Sequence, residues 1–152
     1  MTEKKEDIEI ALQERVKELN CLYGMARLAD ALDLLNTLQA GTGGAVEAFE
    51  FMPATYMERL GRLRPDLACP FAPAPVNVLI ETATTVPGED PVARLEEILG
   101  AAFEAGQIGE AVVATSLAQR RQLWAMREAA AEITFTEKLI VDTDIALPLD
   151  RL

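Results

Sequence analysis

The stretch Val76-Asn-Val-Leu-Ile-Glu-Thr-Ala83 decides the fold, because β-branched and other apolar residues dominate it. Such a run, bounded by turn-forming residues, predicts a strong β-strand. Four prolines crowd the segment just before it, so residues 64–75 are predicted to form a loop.

Upstream of this strand, Val46-Glu-Ala-Phe-Glu-Phe51 alternates in apolar character and predicts a short strand. Pro53 after it suits the first turn of a helix. Downstream, Asp90 as N-cap and Pro91 in the first turn predict a helix over 90–105. The remaining predicted elements are a buried strand at 111–115, a helix at 116–134 opened by a capping box of Ser116 and Gln119, and a strand at about 143–147.

This alternation of strands and helices would by itself suggest a parallel α/β sheet. No glycine-rich turn joins a strand to a helix, so the nucleotide-binding version of that sheet has no support.

Apolar residues recur at spacings of three and four within residues 5–39. This pattern predicts one long amphipathic helix or two in series. Gly24 is a weak point that costs up to about 1 kcal/mol relative to alanine. Asp30 is a candidate cap for a second helix, which the glycines at 41–44 would end. Two interpretations stay open: an appended, dispensable helix that pairs with a second copy, or a helix that packs on the chain's own sheet.

Composition excludes several classes of function. The 152 residues suffice for one domain with an appendage, and the net charge of −11 argues against binding nucleic acid or an anionic membrane surface. The chain contains no histidine, which excludes histidine-based triads and makes a zinc or iron site hard to build. We therefore expect no metal site and no catalytic residue of the histidine type.

The predicted location is the cytoplasm. Cys21 and Cys69 lie in dissimilar contexts without metal-ligand spacing, which favours a reducing compartment. The first residues do not resemble a signal peptide, and no apolar run is long enough to span a membrane.

Arg120, Trp124 and Arg127 share one face of the predicted helix at 116–134, because they are spaced by four and three residues. Two guanidinium groups beside an indole suit the binding of a carboxylate, with the ring excluding water. The alternative is that Trp124 belongs to the core and the arginines are solvated or paired with Glu128 and Glu132. Glu47 with Glu50 forms an acid pair that we interpret as surface charge.

Five fragments, in order, resemble the C-terminal region of FAD-linked oxidases, the family of D-lactate and D-2-hydroxyglutarate dehydrogenases. They span about residues 31–152 and are Val46-Glu-Ala-Phe-Glu-Phe-Met52, Ile80-Glu81, Ala111-Val-Val-Ala114, the run from Gln119 to Glu128, and Asp144-Ile-Ala-Leu-Pro148. Residues 1–29 do not resemble this family. Instead, Glu14 to Gly24 resembles the short helical leader that precedes signalling modules in some sensor kinases.

The resemblance implies an α+β fold, with a mainly antiparallel, ferredoxin-like sheet that carries helices on one face and follows a long N-terminal helix. It divides the chain into a helical segment at 1–39 and an incomplete oxidase-type domain at 45–152. It also implies that Arg127, helped by Arg120, faces the carboxylate of the substrate. At two other positions this sequence departs from the family. Ala131 stands where some members have a hydroxyl residue, and Asp142 stands where they have a lysine.

The function that the resemblance implies is that of a fragment. In the family a flavin domain precedes this region and a histidine-rich segment follows it, so we expect the chain to be the substrate-side cap of an FAD-dependent D-2-hydroxy-acid oxidoreductase, inactive alone. Its implied partners are the flavin-binding domain and a small 2-hydroxy acid. The alternative function is a non-catalytic interaction module, in which residues 1–39 form a dimerising helix and make the chain a homodimer.

Overall fold

The structure, a computed structural model, describes residues 17–84 and 90–136. The strands are β1 (Lys17–Met25), β2 (Val46–Pro53), β3 (Val76–Thr84) and β4 (Ile108–Val113). The helices are α1 (Leu28–Gly41), α2 (Ala54–Leu63), α3 (Pro91–Glu104), α4 (Leu117–Glu128) and α5 (Ala130–Thr134), with a short 3-10 turn at Pro65–Leu67. The predicted helix at 5–16 and the strand at 143–147 lie outside the described residues.

The four strands form one antiparallel sheet in the order β2-β3-β1-β4. Helix α1 connects β1 to β2 and helix α3 connects β3 to β4, while α2 and the 3-10 turn lie between β2 and β3. The α+β prediction with an antiparallel sheet is therefore confirmed. The parallel sheet that alternation alone suggests is not what forms.

The prediction of a long N-terminal helix is wrong at residues 17–25, which form the strand β1. Its pairing is non-local: Leu22 lies opposite Leu79 of β3 on one side and Val112 of β4 on the other. Leu22, Tyr23 and Met25 are all buried. Because helices cover both faces of this central strand, neighbouring residues such as Leu22 and Tyr23 are both buried, and apolar residues placed in this way also satisfy a helical spacing over so short a run.

Gly24 marks a close approach of the chain and is not a weak point of a helix. A Cβ atom at this position would lie 2.7 Å from the Cβ of Ala74, in the loop before β3. Any side chain here would force that loop away from β1. Since β1 lies at the centre of the sheet, the described part of the N-terminal segment is no appended helix, and the dimerising-helix alternative loses its basis there.

Helices cover both faces of the sheet, so the prediction of helices on one face is wrong. Helices α1 and α3 pack on one face, against Tyr23, Val78 and Ile80. Helices α2, α4 and α5 pack on the other face, against Leu22 and Leu79. Successive residues of β3 point to opposite faces, and Val76 to Thr82 are all buried. The described residues therefore form two cores, one on either side of a shared sheet.

Helices α3 and α4 begin where their capping residues predict. The Asp90 carboxylate accepts a hydrogen bond from the Ala93 N–H at 3.3 Å and caps α3, as predicted. The Ser116 hydroxyl caps α4 by accepting from the Gln119 N–H at 3.2 Å. The Gln119 side chain reaches one residue further back than in a standard capping box and accepts from the Thr115 N–H at 2.7 Å.

Two details near the C-terminal side differ from the prediction. The predicted strand at 111–115 is found at Ile108–Val113, where β4 forms an edge of the sheet and residues 109–111 are exposed. The predicted helix at 116–134 is interrupted at Ala129, which separates α4 from α5.

Candidate functional site

The candidate site lies where α4 crosses one face of the sheet. Leu123 and Met126 are buried against the core on that face and hold the helix down. Arg120 and Arg127 lie seven positions apart along α4, a rise of about 10.5 Å at 1.5 Å per residue. Both arginines reach carboxylates that the sheet provides.

Arg127 pairs with Glu50 of β2. The Arg127 Nε donates to Glu50 Oε2 at 2.9 Å, and the two side chains are 45% and 32% exposed. Glu50 faces the same side of the sheet as the buried Met52, since residues two apart in a strand share a face. Glu50, interpreted from the sequence as surface charge, is partly exposed and is bound to Arg127.

Arg120 pairs with Glu81 of β3 in a more enclosed setting. The Arg120 Nη2 lies 2.5 Å from Glu81 Oε1, and the side chains are 30% and 12% exposed. Burial lowers the pKa of Arg120, because the charged guanidinium loses contact with water. Glu81 is the acidic residue of β3 and is itself buried. A carboxylate within a strand predicted to be buried was the sequence signal that could have indicated a cationic partner.

The strand register brings the two carboxylates close together. Ala48 of β2 lies opposite Glu81, and Glu50 follows Ala48 by two residues on the same face. Diagonal neighbours of this kind have Cβ atoms about 7–8 Å apart or somewhat less. Two arginines on a helix and two glutamates on adjacent strands thus form a compact group of four charges.

Trp124 lies between the arginines on α4 and is half-buried against the core on that face. The alternative that it belongs to the core therefore holds in part. The predicted pairing of the arginines with Glu128 and Glu132 is not what forms, since Glu132 binds Arg64 at 2.7 Å. Ala131 is exposed and lies in α5, beyond the break at Ala129.

Tyr56 of α2 fixes the backbone beside Arg127. Its hydroxyl donates to the Met126 carbonyl oxygen, which ties α2 to the last turn of α4. Burial raises the pKa of Tyr56 above its usual value, the charge of Arg127 opposes the rise, and the charge of Glu132 adds to it. The Arg127 backbone is therefore held by α2 while its side chain is held by β2.

A cavity of about 120 Å³ opens on the other side of α4, lined in part by Pro70, Val112 and Leu123. Pockets that enclose drug-sized ligands measure about 300–1,000 Å³, so this one does not fit a flavin dinucleotide. Among residues 17–84 and 90–136, no group of histidine, cysteine and acidic residues is arranged to hold a metal ion. In the same part of the chain, no helix combines the length and apolar character needed to cross a membrane.

Comparison with known proteins places this arrangement in a family. A profile of the family described as "FAD linked oxidases, C-terminal domain" matches residues 12–152. The chain belongs to this family. The match begins well before residue 31, so the predicted boundary was too late, and β1 is part of the domain. The resemblance of residues 14–24 to a signalling leader is therefore wrong.

Named relatives agree with the family. The chain is 35% identical over 129 residues to "D-2-hydroxyglutarate dehydrogenase, mitochondrial" of Bos taurus, covering 85% of this chain and 23% of that protein. It is 28% identical over 146 residues to the Rattus norvegicus protein of the same name, covering 95% of this chain and 27% of that protein. The chain thus spans about a quarter of the length of these relatives.

Two consequences follow from the family and these names. The family's description names FAD, so the parent enzyme uses FAD as cofactor, as the sequence predicted. The predicted cytoplasmic location is contradicted, because the relatives are named as mitochondrial proteins. Reduced cysteines are equally compatible with other reducing compartments, so the cysteine pattern could not distinguish them.

Proposed function

We propose that this chain is the substrate-side cap of an FAD-dependent oxidoreductase that acts on a D-2-hydroxy acid, with Arg127, assisted by Arg120, binding the substrate carboxylate. The partner that completes the site is the flavin-binding domain of the parent enzyme. The proposed location is the mitochondrion, which the names of the relatives support.

The exposed guanidinium of Arg127 is the observation that carries the proposal. The Arg127 side chain is 45% exposed, and among the described residues only its Nε donates a hydrogen bond. A guanidinium offers five donors in a planar fork that matches a carboxylate. The names of the relatives support the substrate class, since D-2-hydroxyglutarate is a D-2-hydroxy acid.

The role of these residues is orientation. In this family the redox chemistry belongs to the FAD. Arg127 would fix the carboxylate end of the substrate, Arg120 would assist by its positive charge nearby, and Trp124 between them would limit access of water. Holding a reactant in a fixed geometry contributes to catalysis without any proton transfer by the arginines.

The test is kinetic and uses the FAD-loaded enzyme that contains this segment. Arg127→Ala should lower kcat/KM for the 2-hydroxy acid by about 10²–10³-fold, the effect of removing one charge-assisted contact in a water-poor site. Arg127→Lys should recover only part of this, because an ammonium group lacks the planar fork. Arg121→Ala is the matched control, since Arg121 is an exposed arginine on the same helix. Unchanged kcat/KM in Arg127→Ala would contradict the proposal.

A further inference from the structure

Glu50 holds Arg127 from the side and leaves the end of its guanidinium open. The hydrogen bond runs from Nε to Glu50 Oε2 at 2.9 Å. The two terminal nitrogens of Arg127 have no hydrogen-bond partner among the described residues. These terminal nitrogens form the edge of the fork that binds the two oxygens of a carboxylate.

We propose that Glu50 is a positioning residue that orients the Arg127 guanidinium for a carboxylate ligand. This inference rests on the proposed function, because it assigns Glu50 a role in the same carboxylate site. Glu50 would not contact the ligand. It would act by limiting rotation of the guanidinium about the bonds of its long side chain, so that less conformational entropy is lost when the ligand binds.

The surroundings of the pair support a positioning role. The backbone at Met126 is fixed by the hydrogen bond from the Tyr56 hydroxyl, so the base of the Arg127 side chain cannot shift easily. Glu50 belongs to a strand whose register with β3 is set by Phe49 opposite Ile80 and Phe51 opposite Val78. The Arg127 side chain is thus held at its backbone end by the packing of α4 and at its Nε by Glu50 of the sheet.

Arg120 provides a contrast within the same group of charges. It meets Glu81 through a terminal nitrogen, Nη2, and this pair is more enclosed than that of Arg127. The edge that would receive a ligand carboxylate is therefore used by Glu81 at Arg120. Of the two arginines, Arg127 is the one whose terminal nitrogens have no hydrogen-bond partner among the described residues.

Glu50 also exerts an opposing effect, because its negative charge repels an incoming carboxylate. Water at this partly exposed site weakens repulsion between charges that are not in contact. The hydrogen bond between Glu50 and Arg127 is direct and keeps its orienting effect. We therefore expect that orientation outweighs repulsion and that removal of Glu50 weakens binding of the ligand.

The experiment measures binding of sodium D-lactate to the full 152-residue chain by NMR of the arginine side-chain N–H groups. Sodium chloride at equal ionic strength serves as the reference titration. The unaltered chain should show saturable shifts of the Arg127 signals. Glu50→Ala should weaken binding about tenfold, equivalent to about 1.4 kcal/mol. Glu50→Gln should fall between the two, because the amide oxygen still accepts from Nε but carries no charge.

Glu47→Ala is the matched control and should leave binding unchanged, because Glu47 is an exposed glutamate of the same strand. A dispersed amide spectrum must show that each variant is folded. If Glu50→Ala does not fold, the comparison of Glu50→Gln with the unaltered chain tests the inference. Equal or tighter binding in the Glu50 variants would overturn the inference, since Glu50 would then be inert or a competitor. Arg127→Ala separates the two proposals: undiminished binding in that variant, or no saturable binding to the unaltered chain, would overturn the carboxylate site itself.

Discussion

Leu22→Ala tests whether residues 17–25 form the central strand. Leu22 is 1% exposed and lies between Leu79 of β3 and Val112 of β4, in the core beneath α2 and α4. Truncating a leucine enclosed on all sides removes its transfer free energy and leaves a cavity, at a cost of about 3 kcal/mol. For a chain of this length, a loss of 3 kcal/mol corresponds to a fall in Tm of roughly 6–12 °C.

Leu28→Ala is the matched control, because the same residue type is changed six positions later in the chain. Leu28 is the first residue of α1 and is 40% exposed, so its truncation should cost less than about 0.5 kcal/mol. Equilibrium unfolding in urea, followed by circular dichroism, gives both free energies. Similar small losses in the two variants would refute the buried strand, and so would cooperative unfolding of a chain that lacks residues 1–25.

Two further predictions concern the site. Tyr56→Phe should cost about 1 kcal/mol at pH 8, through loss of the hydrogen bond to the Met126 carbonyl. Because the folded state raises the pKa of Tyr56, its contribution is fully present below pH 10 and declines above it, so the two unfolding free energies should converge in alkali. Arg120→Ala should cost about 2–3 kcal/mol by leaving the Glu81 carboxylate buried without this partner. Adding Glu81→Gln should recover part of that loss, and an undiminished loss in the double variant would contradict the ion-pair account.

Local signals predicted much of the fold. Asp90 before Pro91 and Ser116 before Gln119 placed two helix starts, because caps depend on neighbouring residues alone. The run at 76–83 placed β3 for the same reason. The resemblance to FAD-linked oxidases supplied the antiparallel sheet, which alternation alone would have made parallel.

The remainder depends on contacts between distant residues. Residues 17–25 satisfy a helical spacing, and only pairing with β3 and β4 makes them a strand. The site shows the same limit. Helical spacing put Arg120 and Arg127 on one face, but their partners Glu50 and Glu81 follow from the register between β2 and β3 and from the placement of α4 on that face.

The position of β1 at the sheet centre has a consequence for synthesis of the chain on the ribosome. β2 and β3 are separated in the chain by α2 and the 3-10 turn, and β1 emerges before either of them and needs both β3 and β4 as neighbours. Cys21 pairs with Val113, so the nascent strand must wait for most of the described chain before its second edge is covered. Long-range pairings of this kind slow folding and leave apolar strands exposed in the meantime. Yield in the cell should therefore depend on chaperones that shield the first strand until β4 arrives.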